Sequence, residues 1–179
     1  MALLLLNLPT SARAFVTLCN ILNRPLPHAF MTQDPAAKCK FLNLATTTLQ
    51  AKIPTLSRHM NSSDRPTISL NSQPDIYLDS AFTSLFTQTL DLESMTRLWD
   101  VYVFEGDAIL VRAAVALFTC TESRLYGCDN QQDVLNVLQR PDVGKLNAVV
   151  DHERWMCAVR DAGRGVKAQT AQAALSPGL

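Results

Sequence analysis

The chain has 179 residues with 16 basic and 16 acidic side chains, so its formal net charge is zero, and 47% of its residues are hydrophobic. A chain of this length can fold as one domain and bury a core without disulfides. The even charge balance excludes a whole-chain field that would attract nucleic acid or an anionic membrane. Any partner must therefore be recognised by a local surface.

The cysteines and histidines predict neither disulfides nor a metal site. The cysteines are odd in number, scattered, and mostly placed on apolar helical stripes, which is typical of reduced cytosolic cysteines. They are Cys19, Cys39, Cys120, Cys128 and Cys157. The three histidines (His28, His59 and His152) lie far apart, without the HxxxH or CxxC spacing of zinc ligands. We therefore predict no metal and no cofactor.

The opening MALLLLNLP is as apolar as a signal peptide, but it lacks a basic n-region, and Pro9 and Arg13 follow at once. A second apolar run, residues 108–118, is too short to span a bilayer and contains Arg112. These features predict a soluble protein that is at most peripheral to a membrane.

The first segments of the chain predict two helices. Residues 3–8 are uniformly apolar and predict a buried helix. Ser11 can cap the second helix, which Pro25 and Pro27 end. The predicted core stripe of that helix consists of Phe15, Leu18, Cys19 and Leu22.

The next predicted helix starts at Asp34 and Pro35, because aspartate is a favoured N-cap and proline at the first helical position loses no hydrogen bond. It runs to about Ala51, and its predicted inner face consists of Cys39, Leu42, Ala45 and Leu49. Pro54 forces a break, after which residues 55–60 predict another turn or two. Residues 61–74 are rich in Asn, Ser and Pro and predict a surface loop.

Three further helices are predicted on either side of a central segment. Pro74 and Asp75 open the first, whose apolar residues recur at helical spacing. Those residues are Leu78, Ala81, Phe82, Leu85 and Phe86. Residues 133–138 predict the second, and residues 151–162, which include Trp155 and Val159, predict the third.

The central segment, residues 97–118, reads RLWDVYVFEGDAILVRAAVALF and predicts a pair of helices. The first has an apolar stripe at helical spacing. The stripe consists of Met95, Leu98, Trp99, Tyr102 and Val103. Gly106 marks a tight break, and Asp107 can serve as N-cap of a second helix that runs to about Ser123. That helix is apolar on nearly every face, which predicts a place in the middle of an all-α bundle.

The same segment carries a family resemblance. Arg97-Leu98-Trp99-Asp100, followed by Glu105-Gly106 and an apolar helix with Arg112 in it, resembles the R-x-W-D-x-x-x-x-E-G signature late in the TBC domain of Rab GTPase-activating proteins. Residues 74–100 resemble the family's preceding helix and leucine-rich link. ALLLLNLP, FVTLCNILNRPLPHAF and the helix from Asp34 are similar in order and spacing to the middle of such domains.

The resemblance covers about residues 1–126 and continues more weakly to residue 162. It implies a multi-helix TBC-like fold, which we expect to be N-terminally truncated. Residues 1–162 are the predicted partial TBC domain. Residues 163–179 consist of Gly, Ala, Gln and Ser with little to bury, and they predict a disordered tail.

The function implied by the resemblance is GTPase activation on a GTP-bound Rab in vesicle trafficking, by a cytoplasmic protein at most peripherally associated with endomembranes. The family uses an arginine from an I-x-x-D-x-x-R motif and a glutamine from a Y-x-Q motif. Neither motif occurs in the 179 residues, and the position two residues after each tyrosine holds Asp79, Phe104 or Cys128. We therefore predict no catalytic residue here and little or no activity of the chain by itself. Alternatives are a non-catalytic binding module for a Rab or an adaptor, and an unrelated helical domain.

Six residues form the family signature: Arg97, Trp99, Asp100, Glu105, Gly106 and Arg112. Their charges are compatible with an active-site constellation, but a network that stabilises the helix end is the favoured interpretation. Arg97 and Asp100 are one turn apart and can pair. Arg112 is either a replacement for the catalytic arginine or, as we favour, a partly buried arginine held by Asp100 or Glu105. Trp99 is predicted to lie in the core.

A mild basic cluster follows near the C-terminus, formed by Arg154, Arg160, Arg164 and Lys167. It predicts a solvated face, with a membrane or Rab contact as the alternative.

Overall fold

A computed structural model describes residues 2–62, 68–70, 73–139 and 152–163. Within these ranges the chain forms ten helices and no strand, which confirms the predicted all-α class. The helices are α1 Ala2–Asn7, α2 Ser11–Leu22, α3 Pro25–Met31, α4 Pro35–Lys52, α5 Pro54–Met60, α6 Pro74–Thr83, α7 Leu92–Glu105, α8 Ala108–Leu125, α9 Gln131–Leu138 and α10 His152–Ala162. Of the predicted tail, residues 164–179 lie outside the described residues. Among the described helices, none has both the length and the hydrophobicity that a bilayer span requires.

Aspartate and proline begin several helices where the sequence predicts them. Asp34 caps α4, because its carboxylate accepts hydrogen bonds from the backbone N–H groups of Ala36 and Ala37 at 3.0 and 3.3 Å. Pro54 and Pro74 are the first residues of α5 and α6. In all three helices, proline takes the position at which its missing N–H costs no intrahelical bond.

The chain around Pro25 differs from the prediction. Pro25 and Pro27 are predicted only to end the second helix, but Pro25 begins a further helix, α3, since Arg24 is extended and proline's φ suits the first helical position. The N-cap of α2 is Thr10 rather than Ser11, and its side chain accepts from the backbone N–H of Arg13. Proline is unfavourable inside a helix but favourable at its first position. The helix α2 therefore ends shortly before Pro25, and α3 begins at Pro25.

The first two helices are less buried than predicted. In α1, Leu4 is buried, but Leu5 and Leu6 are 47% and 79% exposed. The stripe predicted for α2 is wrong, since Phe15 is 59% exposed and the buried residues are instead Ala14 and Ile21. An apolar period identifies a face that can be buried, but it does not say whether another element covers that face.

The helix α6 ends earlier than its apolar period predicts. Leu85 and Phe86 lie beyond its last residue, Thr83, and have φ angles of 51° and 64° in the left-handed region. Both side chains are nevertheless buried, and the Phe86 ring meets the Phe82 ring edge to face with centroids 6.0 Å apart. Leu85 and Phe86 therefore reach the core from a tight turn, and not from the longer helix that the sequence predicts.

The helix α8 is the centre of the domain, as predicted. Fourteen of its residues are buried, including every residue from Ala108 to Phe118. It packs against α4, α7, α9 and α10, and its contact with α10 is the most extensive between any two described helices. The last helix, α10, lies where the sequence predicts it, and its Trp155 and Val159 are fully buried.

All five cysteines are free thiols. Cys120 and Cys128 are buried, but Cys39 and Cys157 are exposed, so the prediction that most lie on buried stripes is wrong for these two. The part of the chain that the structure describes holds no group of three His, Cys, Asp or Glu residues able to bind a metal ion.

Candidate functional site

The six signature residues lie along α7 and the first turns of α8, but they do not form one cluster. Trp99 is buried, and its indole Nε1 donates to the backbone oxygen of Leu85 at 3.2 Å. Asp100 is exposed on the same helix. Trp99 thus packs beneath the left-handed turn that follows α6, while its neighbour faces solvent.

Gly106 makes the break between α7 and α8. Its φ of +76° lies in a region that L side chains rarely adopt, and its N–H donates to the Tyr102 carbonyl at 3.0 Å. A Cβ added there would meet no atom within 4 Å. Backbone conformation, and not lack of space, therefore favours glycine at this position.

Arg112 forms an ion pair with Glu105, one of the two carboxylates predicted to hold it. The Arg112 side chain is buried, whereas that of Glu105 remains about one third exposed, at 34%. The Arg112 Nε has no hydrogen-bond partner among the described residues. The Arg112 side chain lies next to Gly163, at the C-terminal end of α10.

Arg97 does not pair with Asp100, although the two are one turn apart. It donates instead to Glu153 of α10 at 2.7 Å and to Glu93, one turn earlier in α7, at 3.2 Å. The hydrogen bond with Glu153 is the main cause that raises the pKa of Arg97. Because the pair is solvent-exposed, we expect it to orient α10 on α7 more than to stabilise the fold.

A second group of charged contacts, not predicted from the sequence, joins two helix ends. We call it the capping cluster and define it as Arg24, Leu26, Tyr102, Val103 and Asp107. The guanidinium of Arg24 donates to the backbone oxygens of Tyr102 and Val103 at 2.7 and 3.2 Å, and it lies 4.6 Å from the centroid of the Tyr102 ring. These oxygens belong to the last turn of α7, the end of the helix that carries partial negative charge, and the Tyr102 oxygen also accepts from the N–H of Gly106.

Asp107 belongs to the same cluster, and its predicted role as a side-chain N-cap is wrong. It precedes α8, but its carboxylate makes no bond to that helix. It accepts instead from the backbone N–H of Leu26 at 2.8 Å and from the Tyr102 hydroxyl at 3.3 Å. Since the Leu26 N–H is in the first turn of α3, the carboxylate caps a helix about eighty residues earlier in the chain.

Within the capping cluster Leu26 and Tyr102 are buried, Arg24 and Asp107 are half-buried, and Val103 is exposed. Burial raises the pKa of Asp107, and the Leu26 N–H, the Tyr102 hydroxyl and the Arg24 charge oppose that rise. Burial also raises the pKa of Tyr102, with the Asp107 charge as a further cause. The cluster therefore connects α3 to the break at Gly106, and the polar side-chain atoms that make this connection form hydrogen bonds within the fold.

Sequence reasoning missed Arg24 because its partners are distant in the chain. The residue directly precedes Pro25, which indicates an extended backbone. Its acceptors are backbone carbonyls 78 and 79 residues away. Backbone acceptors leave no trace in the amino-acid pattern, so no feature of the sequence identifies this contact.

The C-terminal end of α10 closes on Arg112. A Cβ built on Gly163 would lie 2.9 Å from the Arg112 Cδ and 3.0 Å from the backbone oxygen of Arg160. The Arg112 side chain cannot easily withdraw, because Glu105 holds its guanidinium. The absence of a side chain at Gly163 thus allows the close approach of α10 to α8.

Replacing Gly163 with alanine is therefore expected to lower the free energy of unfolding by about 1 to 3 kcal/mol, the usual cost of forcing an extra carbon into a packed site. Urea denaturation followed by circular dichroism measures this change. Gly127→Ala is the matched control, since its added Cβ would meet only the Arg124 backbone oxygen at an ordinary 3.5 Å. Equal stability of the two variants would show that Arg112 can leave its place without cost.

Comparison with known proteins gives a consistent family. A family model described as the Rab-GTPase-TBC domain matches residues 1–126. TBC1 domain family member 12 of Xenopus tropicalis is 29% identical over 138 residues, which cover 77% of this chain and 18% of that protein. Human TBC1 domain family member 14 is 30% identical over 128 residues, with coverages of 72% and 17%.

A third similar protein comes from Schizosaccharomyces pombe. A TBC domain-containing protein of Schizosaccharomyces pombe is 31% identical over 137 residues, covering 76% of this chain and 27% of that protein. The chain thus spans between 17% and 27% of the length of these curated relatives. No solved structure matches it significantly.

The family match includes 126 of the 179 residues, among them all six signature positions and the capping cluster. It ends at the C-terminus of α8, so α9 and α10 lie beyond it. With its all-helical fold and this match, the chain belongs to the Rab-GTPase-TBC domain family.

Proposed function

We propose that this chain is a fragment of a Rab GTPase-activating domain, directed at a GTP-bound Rab and catalytically impaired by itself because the family's arginine and glutamine motifs do not occur in its 179 residues. The match to the Rab-GTPase-TBC domain over residues 1–126 is the observation that carries the proposal. The setting is vesicle trafficking, where the protein is cytoplasmic and meets endomembranes peripherally.

The chemistry requires groups that this sequence does not contain. Hydrolysis on a small GTPase is slow because nothing in the resting site neutralises charge on the γ-phosphoryl oxygens or orients the attacking water. An arginine inserted in trans accelerates the reaction by about 10³ to 10⁵, or roughly 4 to 7 kcal/mol of barrier. A glutamine carboxamide can orient the water, because it both donates and accepts hydrogen bonds. The I-x-x-D-x-x-R and Y-x-Q motifs that supply them are absent from the sequence.

Three arginines near the signature are engaged within the fold, which supports a structural role for them. Arg112 is buried against Glu105, and Arg24 donates to two carbonyls of α7. Arg97 connects α7 to α10 through Glu153. To insert any of them into a nucleotide site would break these contacts. We therefore assign Glu105, Gly106 and Arg112 to stabilising the α7–α8 break, Arg97 to the contact between α7 and α10, and Trp99 to the core.

The chain by itself is expected to accelerate GTP hydrolysis by less than tenfold on every member of a Rab panel. The measurement is single-turnover hydrolysis of Rab preloaded with labelled GTP, at chain concentrations in large excess over the Rab. A TBC domain that carries both motifs, assayed on the same Rab preparations, is the positive control. Acceleration of more than tenfold by the chain would contradict the proposal.

A non-catalytic binding module is the second candidate, and one observation favours it. Large apolar side chains of α1 and α2 are exposed, among them Leu6, Phe15 and Val16. Exposed apolar surface of this kind is typical of interaction sites. Titration of the chain against Rabs in the GTP- and GDP-bound states tests this candidate. Binding without any change in hydrolysis rate supports the module, and a chain that binds no Rab counts against it.

A further inference from the structure

A cleft outside the signature lies between the end of α4, the middle of α8 and the outer face of α10. Its volume is about 310 Å³, at the lower end of the range for small-molecule sites. Its lining includes two thiols, Cys120 and Cys157, and two cations, Lys52 and Arg154. No contact described for the signature residues or the capping cluster uses these four side chains.

The two thiols differ in access and in reactivity. Cys157 is exposed, whereas Cys120 is buried with 6% of its surface accessible. Burial raises the pKa of the Cys120 thiol, and the charge of Arg154 opposes that rise. Because the thiolate is the nucleophile, the buried thiol is the less reactive of the two. A reagent that enters the cleft will therefore meet Cys157 first.

The charges of the cleft favour an anion. Lys52 and Arg154 supply two positive charges, against one carboxylate, Asp161. The Lys52 ammonium donates to the backbone oxygen of Asp161 at 3.0 Å, which holds this cation at the edge of the cleft. A concave site with an excess of one sign of charge concentrates ligands of the opposite sign.

We propose that this cleft captures small anionic disulfides through Cys157. The Cys157 thiol loses its proton to solvent, and the thiolate attacks one sulfur of the disulfide. A new S–S bond forms as the S–S bond of the reagent breaks, and the released thiolate takes a proton from solvent. Arg154 attracts a carboxylate of the incoming disulfide. The proposal concerns a site separate from the signature and does not depend on the proposed Rab function.

The test compares two disulfide reagents of opposite charge on the full chain. They are 5,5′-dithiobis(2-nitrobenzoate), which carries two carboxylates, and cystamine, which carries two ammonium groups. Labelling at each cysteine is measured at low conversion by peptide mapping with mass spectrometry. Cys157 is expected to be labelled before Cys120 by the anionic reagent, and labelling of Cys120 first would overturn the proposal.

The charge preference is tested with Arg154→Gln. The ratio of anionic to cationic labelling at Cys157 is expected to fall about threefold at ~0.1 M salt, the effect of one screened charge that lies within about one Debye length of the reacting group. Because the same thiolate attacks both reagents, this ratio is independent of the fraction of Cys157 ionised. Arg58→Gln, which removes a charge from a different cleft, must leave the ratio unchanged. A ratio at Cys157 that Arg154→Gln does not alter overturns the proposal.

Two further readouts complete the experiment. Cys39 is exposed on α4 outside the cleft, so its own labelling ratio must not respond to Arg154→Gln, and an equal response there overturns the proposal. A cross-linked Cys120–Cys157 pair supports it: the Cys120 thiolate attacks the mixed disulfide at the Cys157 sulfur, the S–S bond to the reagent breaks, and the second half of the reagent leaves as a thiolate. This reading requires that Cys120→Ser converts the product into a stable adduct on Cys157. Loss of labelling at Cys157 in that variant contradicts it.

Discussion

Truncating Trp99 to alanine is expected to lower the free energy of unfolding by about 3 to 5 kcal/mol, the range measured for large aromatic residues in cores. The indole is 6% exposed, packs within the central cluster, and donates to the Leu85 carbonyl. Truncation leaves a cavity beneath the left-handed turn and removes that carbonyl's partner. Urea denaturation monitored by circular dichroism gives the value, and the remaining tryptophan provides a second, fluorescent probe.

The control for Trp99→Ala lies on the same helix. Phe104 is 89% exposed, so Phe104→Ala removes an aromatic ring without opening a cavity. Its expected effect is within about 0.5 kcal/mol, as for most surface substitutions. If Trp99→Ala cost less than about 1 kcal/mol, the signature tryptophan would not be a core residue, and its assignment to structure would fail.

Trp155→Ala is expected to have an effect of similar size, about 3 to 5 kcal/mol. Trp155 is fully buried on α10, in the most extensive helix contact of the described chain. The prediction is informative because α10 lies beyond the family match, which ends at residue 126. A large loss of stability on truncation would show that the folded unit continues past the matched region to residue 162.

The two tryptophans also differ in hydrogen bonding, which their phenylalanine variants can reveal. Trp99 Nε1 donates to Leu85, whereas Trp155 Nε1 has no partner among the described residues. Trp99→Phe leaves a buried carbonyl unsatisfied, and Trp155→Phe removes an unpaired donor. We expect Trp99→Phe to cost about 1 kcal/mol more than Trp155→Phe. The reverse order would indicate that Trp155 Nε1 has a bonding partner in solution.

The helix boundaries and the central helix were predictable because local rules decide them. Asp34 and Pro35 begin α4 through capping and fixed φ, and Gly106 ends α7 through a backbone angle that other residues avoid. The uniformly apolar run of residues 108–118 required burial on all sides. Each of these outcomes depends on neighbours within a few residues, so the amino-acid pattern contains the necessary information.

Local rules also produced the errors. The period that continues through Leu85 and Phe86 predicted a longer helix, but both residues reach the core from a left-handed turn. Asp107 has a favourable residue type and position for capping α8, yet the tertiary structure offers it the Leu26 N–H instead. A side chain makes the best bond available in three dimensions, and a sequence window shows only the bonds that are near along the chain.

Among the signature residues, too, some features were predictable from the sequence and one was decided by the tertiary structure. The spacing from Arg97 to Gly106 identified the family and the helix break, and burial of Trp99 and Arg112 followed from their apolar neighbours. The sequence did not decide whether Glu105 or Asp100 pairs with Arg112, since both carboxylates precede Arg112 on α7. The structure shows that the partner is Glu105.

The sequence by itself thus determined the helical class, the order of the described helices except α3, most helix starts and the family. The tertiary structure decided which apolar faces are covered, the long-range caps made by Arg24 and Asp107, and the meeting of Arg112 with Gly163. It also decided that Cys120 and Cys157 share a cleft. The features that the sequence determined depend on backbone preferences and on the period of hydrophobic residues, which act over a few residues. The features that the tertiary structure decided depend on how whole helices pack, and that is a property of the assembled fold.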